Sequence, residues 1–280
     1  MMENVEIARR LEEVADLLEA QRANPFRVQS YRRAAMHVRH LTKPLAQVWR
    51  EEGEEGLRAI AGVGERLATS LRILISTGRL PMLDRLRGET DPVALLESVP
   101  GIGHALAERL HRDFEIDSLE DLEAAAHDGR LADIEGIGHK KLAGIIDTLS
   151  ARLGRVRWQE RPPRTGEPPV EKLLDVDREY REKAGAGELP KIAPRRFNPG
   201  GEAWLPILHA HRDGHDYTAL YSNTARAHEL GRTHDWVVLY YDHGPEERQC
   251  TVITAQRGVL SGKRIVRGRE RECEDFYGSH

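Results

Sequence analysis

Three stretches with the pattern aliphatic-x-Gly-aliphatic-Gly constrain the chain more than anything else in it. They are Ile60-Ala61-Gly62-Val63-Gly64, Val99-Pro100-Gly101-Ile102-Gly103 and Ile134-Glu135-Gly136-Ile137-Gly138. Each is followed by helix-forming residues, so each reads as two short helices joined by a tight glycine turn. The register is shared. Counted from the first glycine, aliphatic residues fall at minus five (Leu57, Leu96, Leu131) and minus two (Ile60, Val99, Ile134). They recur at plus one (Val63, Ile102, Ile137) and plus nine (Leu71, Leu110, Ile145). At plus five the first two copies have Leu67 and Leu106, but the third has Lys141, so that copy is expected to pack differently there.

Those offsets place apolar residues on the inner faces of two helices that meet at the turn. The first glycine is free to take a positive φ, and the second lets backbone come close to a partner. What points outward is the N-terminus of the second helix, whose unpaired N–H groups and positive dipole end suit a phosphate. No residue of the turn reads a base edge, so contact independent of base sequence is the expectation. The alternative is an αα-hairpin with a glycine stop and no ligand. A dinucleotide fingerprint is excluded, because no apolar strand precedes any of these glycines.

A length of 280 residues fits two or three domains. With 39% hydrophobic and 31% charged residues the chain is able to build cores, and a mean hydropathy of -0.57 leaves little apolar surplus. No apolar run is long enough for a bilayer and no signal peptide is apparent, so a cytoplasmic location without membrane contact is expected. Cys250 and Cys273 form no CxxC pair, which suits isolated thiols in a reducing compartment. The net charge of -4 supplies no global basic field. Any nucleic-acid contact therefore rests on local patches and falls steeply with salt.

Taken in order, Asn4 is expected to cap an amphipathic helix with Ile7, Leu11, Val14, Leu17 and Leu18 inside. Asn24-Pro25 breaks it. A second helix from Val28 to about Leu41 gathers Arg32, Arg33 and Arg39, with Arg27 just before it and Tyr31 among them. This is either a phosphate-binding surface or a basic face paired with the acidic first helix. A third helix, Pro44 to Glu52, leads into the first glycine hairpin, which stops at Thr77-Gly78. Residues 1–87 and 88–155 are thus read as two helical domains, the second with two hairpins. The Pro-rich segment 156–169 reads as a linker, and 170–280 as a domain of different texture. There, Trp204 to Ala210, Tyr217 to Tyr221, Trp236 to Tyr241 and Cys250 to Thr254 are strand-like, with His211-Arg212-Asp213-Gly214-His215 as a hairpin loop. The fold class is therefore multidomain α and α+β: an all-α helix-hairpin-helix half followed by a small, mainly antiparallel sheet.

The stretch Asn24-Pro25-Phe26-Arg27-Val28-Gln29-Ser30-Tyr31-Arg32-Arg33-Ala34-Ala35, the three glycine turns, Thr77-Gly78-Arg79-Leu80 and Ser118-Leu119-Glu120-Asp121-Leu122 carry a resemblance. Together they resemble the N-terminal part of the family X (polymerase-beta-like) DNA polymerases, over about half the chain. The resemblance implies a helical lyase-type domain followed by a helix-hairpin-helix subdomain, together holding gapped or nicked DNA. It also implies a monovalent cation, Na⁺ or K⁺, held by backbone carbonyls at Val99 and Ile102 and at Ile60 and Val63, with no organic cofactor. Arg66 falls where that family binds a 5′-phosphate, while a second basic position there is Met82. The lyase of the family needs a lysine amine for its Schiff base. Its position here is Ser70, beside Thr69. The polymerase palm needs a Gly-Ser turn and a paired-aspartate strand for two metal ions. Asp175-Val176-Asp177 imitates the pair, but it sits in a helical pattern whose two aspartates point to different faces. That pattern is read as helix surface, and 170–280 is short for palm and thumb.

In the C-terminal half, His209, His211 and His215 near Asp213 and Asp216 form a candidate metal group, against a reading as ordinary surface histidines. His228, His234 and His243 add candidates. Lys263 to Arg269 is a basic run that either tracks a phosphate backbone or is a solvated edge strand. The sequence thus points to a nucleoid-associated protein of DNA repair. It would bind gapped, nicked or structured DNA through Gly62, Gly64, Arg66, Gly101, Gly103, Gly136, Gly138, Lys140 and Lys141, with Arg32 and Arg33 in support. It would carry no polymerase or lyase activity. The alternative is a metal-dependent nuclease centred on the histidines of the C-terminal domain.

Overall fold

The structure is a computed structural model that describes residues 2–88, 92–97, 99–114, 116, 119–127, 130, 131, 134, 136–152, 167–243 and 246–278. The segment read as a linker therefore lies outside the described residues up to 166. The chain divides into two compact units, each discontinuous in sequence: Met1–Glu89 with Lys183–Thr218 and Tyr241–Glu247, and Thr90–Glu182 with Ala219–Tyr240 and Arg248–His280.

In the first unit, α1 (Asn4–Ala20) buries Ile7, Leu11, Val14 and Leu18, one face at helical spacing. It packs on α2 (Pro25–Arg39), which buries Val28, Tyr31, Ala34, Ala35 and Val38. Asn4 is not the cap of α1. It is the first helical residue, and its amide side chain instead ties the loop after α2, donating to the Lys43 carbonyl at 2.9 Å and accepting from the Leu45 N–H at 2.7 Å. The second helix begins three residues earlier than Val28. Pro25 tolerates the first helical position, where its missing N–H costs nothing, and the Asn24 side chain accepts from the Phe26 N–H at 3.0 Å. The third helix, α3 (Leu45–Arg58), runs past Glu52 by kinking at Gly53, whose φ of 64° only glycine adopts easily. After the first hairpin come α4 (Glu65–Thr77) and α5 (Pro81–Arg87), ending at Gly78 and Gly88 in the left-handed region.

In the second unit, α6 (Pro92–Glu97), α7 (His104–Phe114), α8 (Leu119–His127) and α9 (His139–Arg152) close around their own core. Leu96, Val99, Ile102, Leu110, Leu122, Leu131, Ile134, Ile137, Ile145 and Leu149 form its centre.

The C-terminal part opens with α10 (Val170–Gly185) and continues with β1 (Lys191–Ile192), β2 (Leu205–Arg212), β3 (His215–Tyr221), α11 (Ala225–Glu229), β4 (Val237–His243), β5 (Glu246–Thr254), β6 (Arg264–Val266) and α12 (Glu270–Gly278). The strands form one six-stranded sheet in sequence order, with β1–β2 and β5–β6 antiparallel. The β2–β3 turn is Asp213 (φ 49°) and Gly214 (φ 80°), two left-handed residues that match the right-handed twist of a tight hairpin. No helix among the described residues is long and apolar enough to cross a membrane.

Candidate nucleic-acid interface

The three glycine turns share one hydrogen-bond pattern. The N–H groups of Val63, Ile102 and Ile137 donate to the carbonyls of Ile60, Val99 and Ile134, each at 3.0 Å. One turn earlier, Ile60, Val99 and Ile134 donate to Leu57, Leu96 and Leu131 at 3.3, 3.0 and 3.3 Å. One turn later, Ala68, Ala107 and Leu142 donate to the second glycines, Gly64, Gly103 and Gly138, at 2.9, 2.9 and 3.0 Å. The first glycines take φ values of 82°, 91° and 92°, a conformation that strains any side chain with a Cβ. The aliphatic residue between the glycines is buried in every copy, while both glycines and the two residues that follow are exposed. A Cβ added at Gly64, Gly103 or Gly138 would meet nothing within 4 Å. The second glycine is therefore open to a ligand. The first glycine of the first hairpin is the one that packs closely, against Arg33 on α2 at 3.2 Å.

These turns present helix N-termini with amides that have no partner within the helix. At α4 no side chain caps them. What stands beside them differs. The third hairpin begins α9 with exposed His139 and Lys140. Lys141, the residue that breaks the apolar repeat, donates to the Gly136 carbonyl at 2.9 Å and lays its stem 3.6 Å from the Cβ position of Gly101. It thus reaches both glycine turns of the second unit. In the second hairpin, His104 is flanked by the carboxylates of Glu97 and Glu108.

As for a monovalent cation, the Ile60 and Val99 carbonyls each accept one turn bond. A carbonyl oxygen has two lone pairs, so each retains an acceptor position, and neutral oxygen donors fit Na⁺ or K⁺. The Ile60 and Val99 carbonyls thus each keep an acceptor position of the kind such a cation takes.

The first hairpin carries its charge differently. Arg66, in the first turn of α4, donates to the Asp242 carboxylate at 2.7 Å and lies 3.9 Å from Asp216. Arg85 is paired with Glu247 at 2.6 Å. Between these pairs, Tyr31 and Arg27 both donate to the thioether of Met82, at 3.1 and 3.4 Å. Burial raises the Asp242 carboxyl, with the neighbouring Glu247 and Asp216 carboxylates adding to the effect and Arg27 and Arg66 opposing it. Burial likewise raises the Tyr31 phenol. Arg32, expected to support phosphate binding, is held by Glu19 at 2.6 Å and Asp16 at 3.4 Å on α1, and Arg39 by Glu12. These two arginines thus face the acidic first helix. Arg33 is exposed beside Gly62.

The C-terminal histidines are not brought together. His209 sits between Thr218 and Gln21, 3.0 Å from each, and burial pushes it down to about 3, with Arg27 and Arg85 adding to the effect. His211 binds Asp216 at 2.8 Å, and His215 contacts the Asp242 carbonyl at 3.0 Å. Among the described residues, no group of three or more His, Cys, Asp or Glu is placed to hold a metal. The basic run is turned to internal use. Arg264 makes a two-pronged contact with Asp177, at 2.7 and 3.0 Å, and reaches Asp235 at 2.6 Å. Lys263 lies over the Tyr277 ring, Arg267 over Trp236, and Arg269 pairs with Glu272. Asp177, read from sequence as helix surface, is fully buried by this pairing. Ser70 lies half-buried on α4, and Cys250 and Cys273 are both buried, Cys273 accepting from the Val266 N–H at 3.3 Å.

The glycine hairpins fall in segments that match known families. Residues 2–80 match a family described as a helix-hairpin-helix domain, and residues 93–151 one described as a SAM-like helix-hairpin-helix tandem. The DNA polymerase/3'-5' exonuclease PolX of Bacillus subtilis (strain 168) is 24% identical over 149 residues, 53% of this chain. The match spans 25% of that polymerase's length. The N-terminal half thus resembles the corresponding kind of module in a family X polymerase.

Proposed function

We propose that this chain binds DNA through its glycine hairpins, contacting phosphates without reading base sequence, and recognises gapped, nicked or otherwise structured DNA in repair. The observation that carries the reading is the shared geometry of the turns: three in one hydrogen-bond register, each with open space before its second glycine. Backbone N–H groups at a helix start suit phosphate oxygens, and Lys140 and Lys141 add charge beside the third turn. The matched helix-hairpin-helix families and the resemblance to a DNA polymerase support the same ligand. A monovalent cation on the turn carbonyls of Val99, Ile102, Ile60 and Val63 would add positive potential there.

The role is binding and not synthesis. The position of the lyase lysine holds Ser70, whose hydroxyl forms no Schiff base. Asp177 is occupied by Arg264. Fluorescence anisotropy with one-nucleotide-gapped duplex, intact duplex and single strand, at low and moderate salt, tests the reading. Tightest binding to the gap, weakening with salt and lost in Gly101→Val, is expected. Equal and salt-insensitive curves for all three DNAs would remove it.

A further inference from the structure

We infer that the acidic ends of the C-terminal hairpins act as a stopper on the arginine face of the first unit. Asp242, helped by Asp216 and Glu247, takes the place of a phosphate at the first glycine hairpin. Three observations within this unit carry the inference. Arg66 stands two residues beyond Gly64, on the helix start that the open second glycine exposes. Its guanidinium is engaged by a carboxylate oxygen at 2.7 Å, as a phosphate oxygen would engage it. Arg85, on α5, is closed in the same way by Glu247. Three carboxylates therefore come from two hairpins, at the β2–β3 turn and at the β4–β5 end, onto basic residues of the helical part.

The pairing is a poor stabiliser of the fold. The Asp242 side chain is only 10% exposed, and burial, with the nearby Glu247 and Asp216 carboxylates, raises its carboxyl in spite of Arg27 and Arg66. A buried acid of this kind is better accounted for by what it keeps out. Neutralising it opens a site for a doubly charged phosphate on Arg66 and Arg27. The stopper rests on the DNA-binding reading only for its purpose; the anion site beneath it is a separate claim.

Isothermal titration of the full chain with inorganic pyrophosphate separates the two. The Asp216→Asn/Asp242→Asn variant should bind pyrophosphate about tenfold tighter than wild type. Adding Arg66→Ala should abolish that gain. Equal affinity in wild type and variant, or none in either, with the melting temperature kept, overturns the stopper. If the double variant melts early, Asp216→Asn and Glu247→Gln, at side chains nearer solvent, carry the same test in the same direction. Gapped duplex titrated in parallel reports on the other claim. A pyrophosphate gain without any DNA binding sinks the DNA reading alone, and DNA binding without a pyrophosphate gain sinks the stopper alone.

Discussion

The first and third glycine hairpins have the same backbone and opposite surroundings. Both bury their aliphatic residues, turn on a left-handed glycine and leave the second glycine open. At the first, Arg66 is held by an aspartate from far along the chain. At the third, Lys140 is exposed, and Lys141 leans across to the second hairpin. A short repeat fixes the turn and its amides. Which copies offer charge to a ligand is decided by residues outside the repeat.

Replacing the positive-φ glycines breaks the comparison at its root. Gly136→Val and Gly101→Val each force a β-branched residue into the left-handed region, at a cost of about 1–3 kcal/mol. Each should weaken DNA binding by more than about tenfold. Gly62→Val carries the same strain and also presses on Arg33 at 3.2 Å. It should lower the melting temperature of the first unit with a smaller effect on DNA affinity. Anisotropy and thermal melting on the same three proteins check this. Equal loss of DNA binding in all three would erase the distinction between the hairpins.

Acid should divide the molecule along the same line. His209 is held neutral by burial, with a folded value of about 3, far below its unfolded one. Its contribution is therefore complete above pH ~6.5 and lost as pH falls toward about 3, amounting to about 2 kcal/mol by pH ~5. Asp242 works in the other sense. Its raised folded value makes its burial least costly when protonated, so its contribution weakens as pH rises through that value. His209 bridges α1 and the hairpin formed by β2 and β3, whereas the tandem of α6 to α9 has its own core. Amide exchange at pH ~5 should therefore accelerate in α1 and β2 before α7 and α9. The His209→Gln variant should lose less stability than wild type between pH ~7 and ~5. Uniform acceleration in both units would count against the assignment.

A smaller effect belongs to Arg32. Its partners Glu19 and Asp16 are exposed, so Arg32→Ala should leave the melting temperature close to that of wild type. It should also leave the affinity for gapped duplex within about twofold of wild type, because the guanidinium is turned to α1. Loss of DNA binding in this variant would return Arg32 to the interface.

Much of this was legible in the residues. The aliphatic offsets around the glycines are local and periodic, so Leu57, Val99, Ile137 and their equivalents are the buried positions that the spacing predicts. Lys141 announced its different packing by breaking that spacing. The β2–β3 turn was legible too, although His211, Arg212 and His215, read as loop, belong to the strands. The strand β1 was not foreseen, since two residues carry no alternation. The charged partners were less legible still. Arg66 and Asp242 are 176 residues apart and Arg264 and Asp177 are 87 apart, and no pattern in either neighbourhood reports on the other. The histidine group failed for a related reason. Nearness along a hairpin brought His209, His211 and His215 close in sequence, but their rings found Gln21, Asp216 and the Asp242 carbonyl.

The most direct test of the asymmetry is the salt dependence of gapped-duplex binding for wild type, Lys140→Ala and Arg66→Ala. Each phosphate neutralised by a side chain contributes about 0.9 to the slope of log affinity against log salt. Lys140→Ala should reduce that slope by about one, and Arg66→Ala should leave it unchanged because its charge is already met by Asp242. A reduced slope in Arg66→Ala with no change in Lys140→Ala would contradict the account, and would place the working charge on the first hairpin.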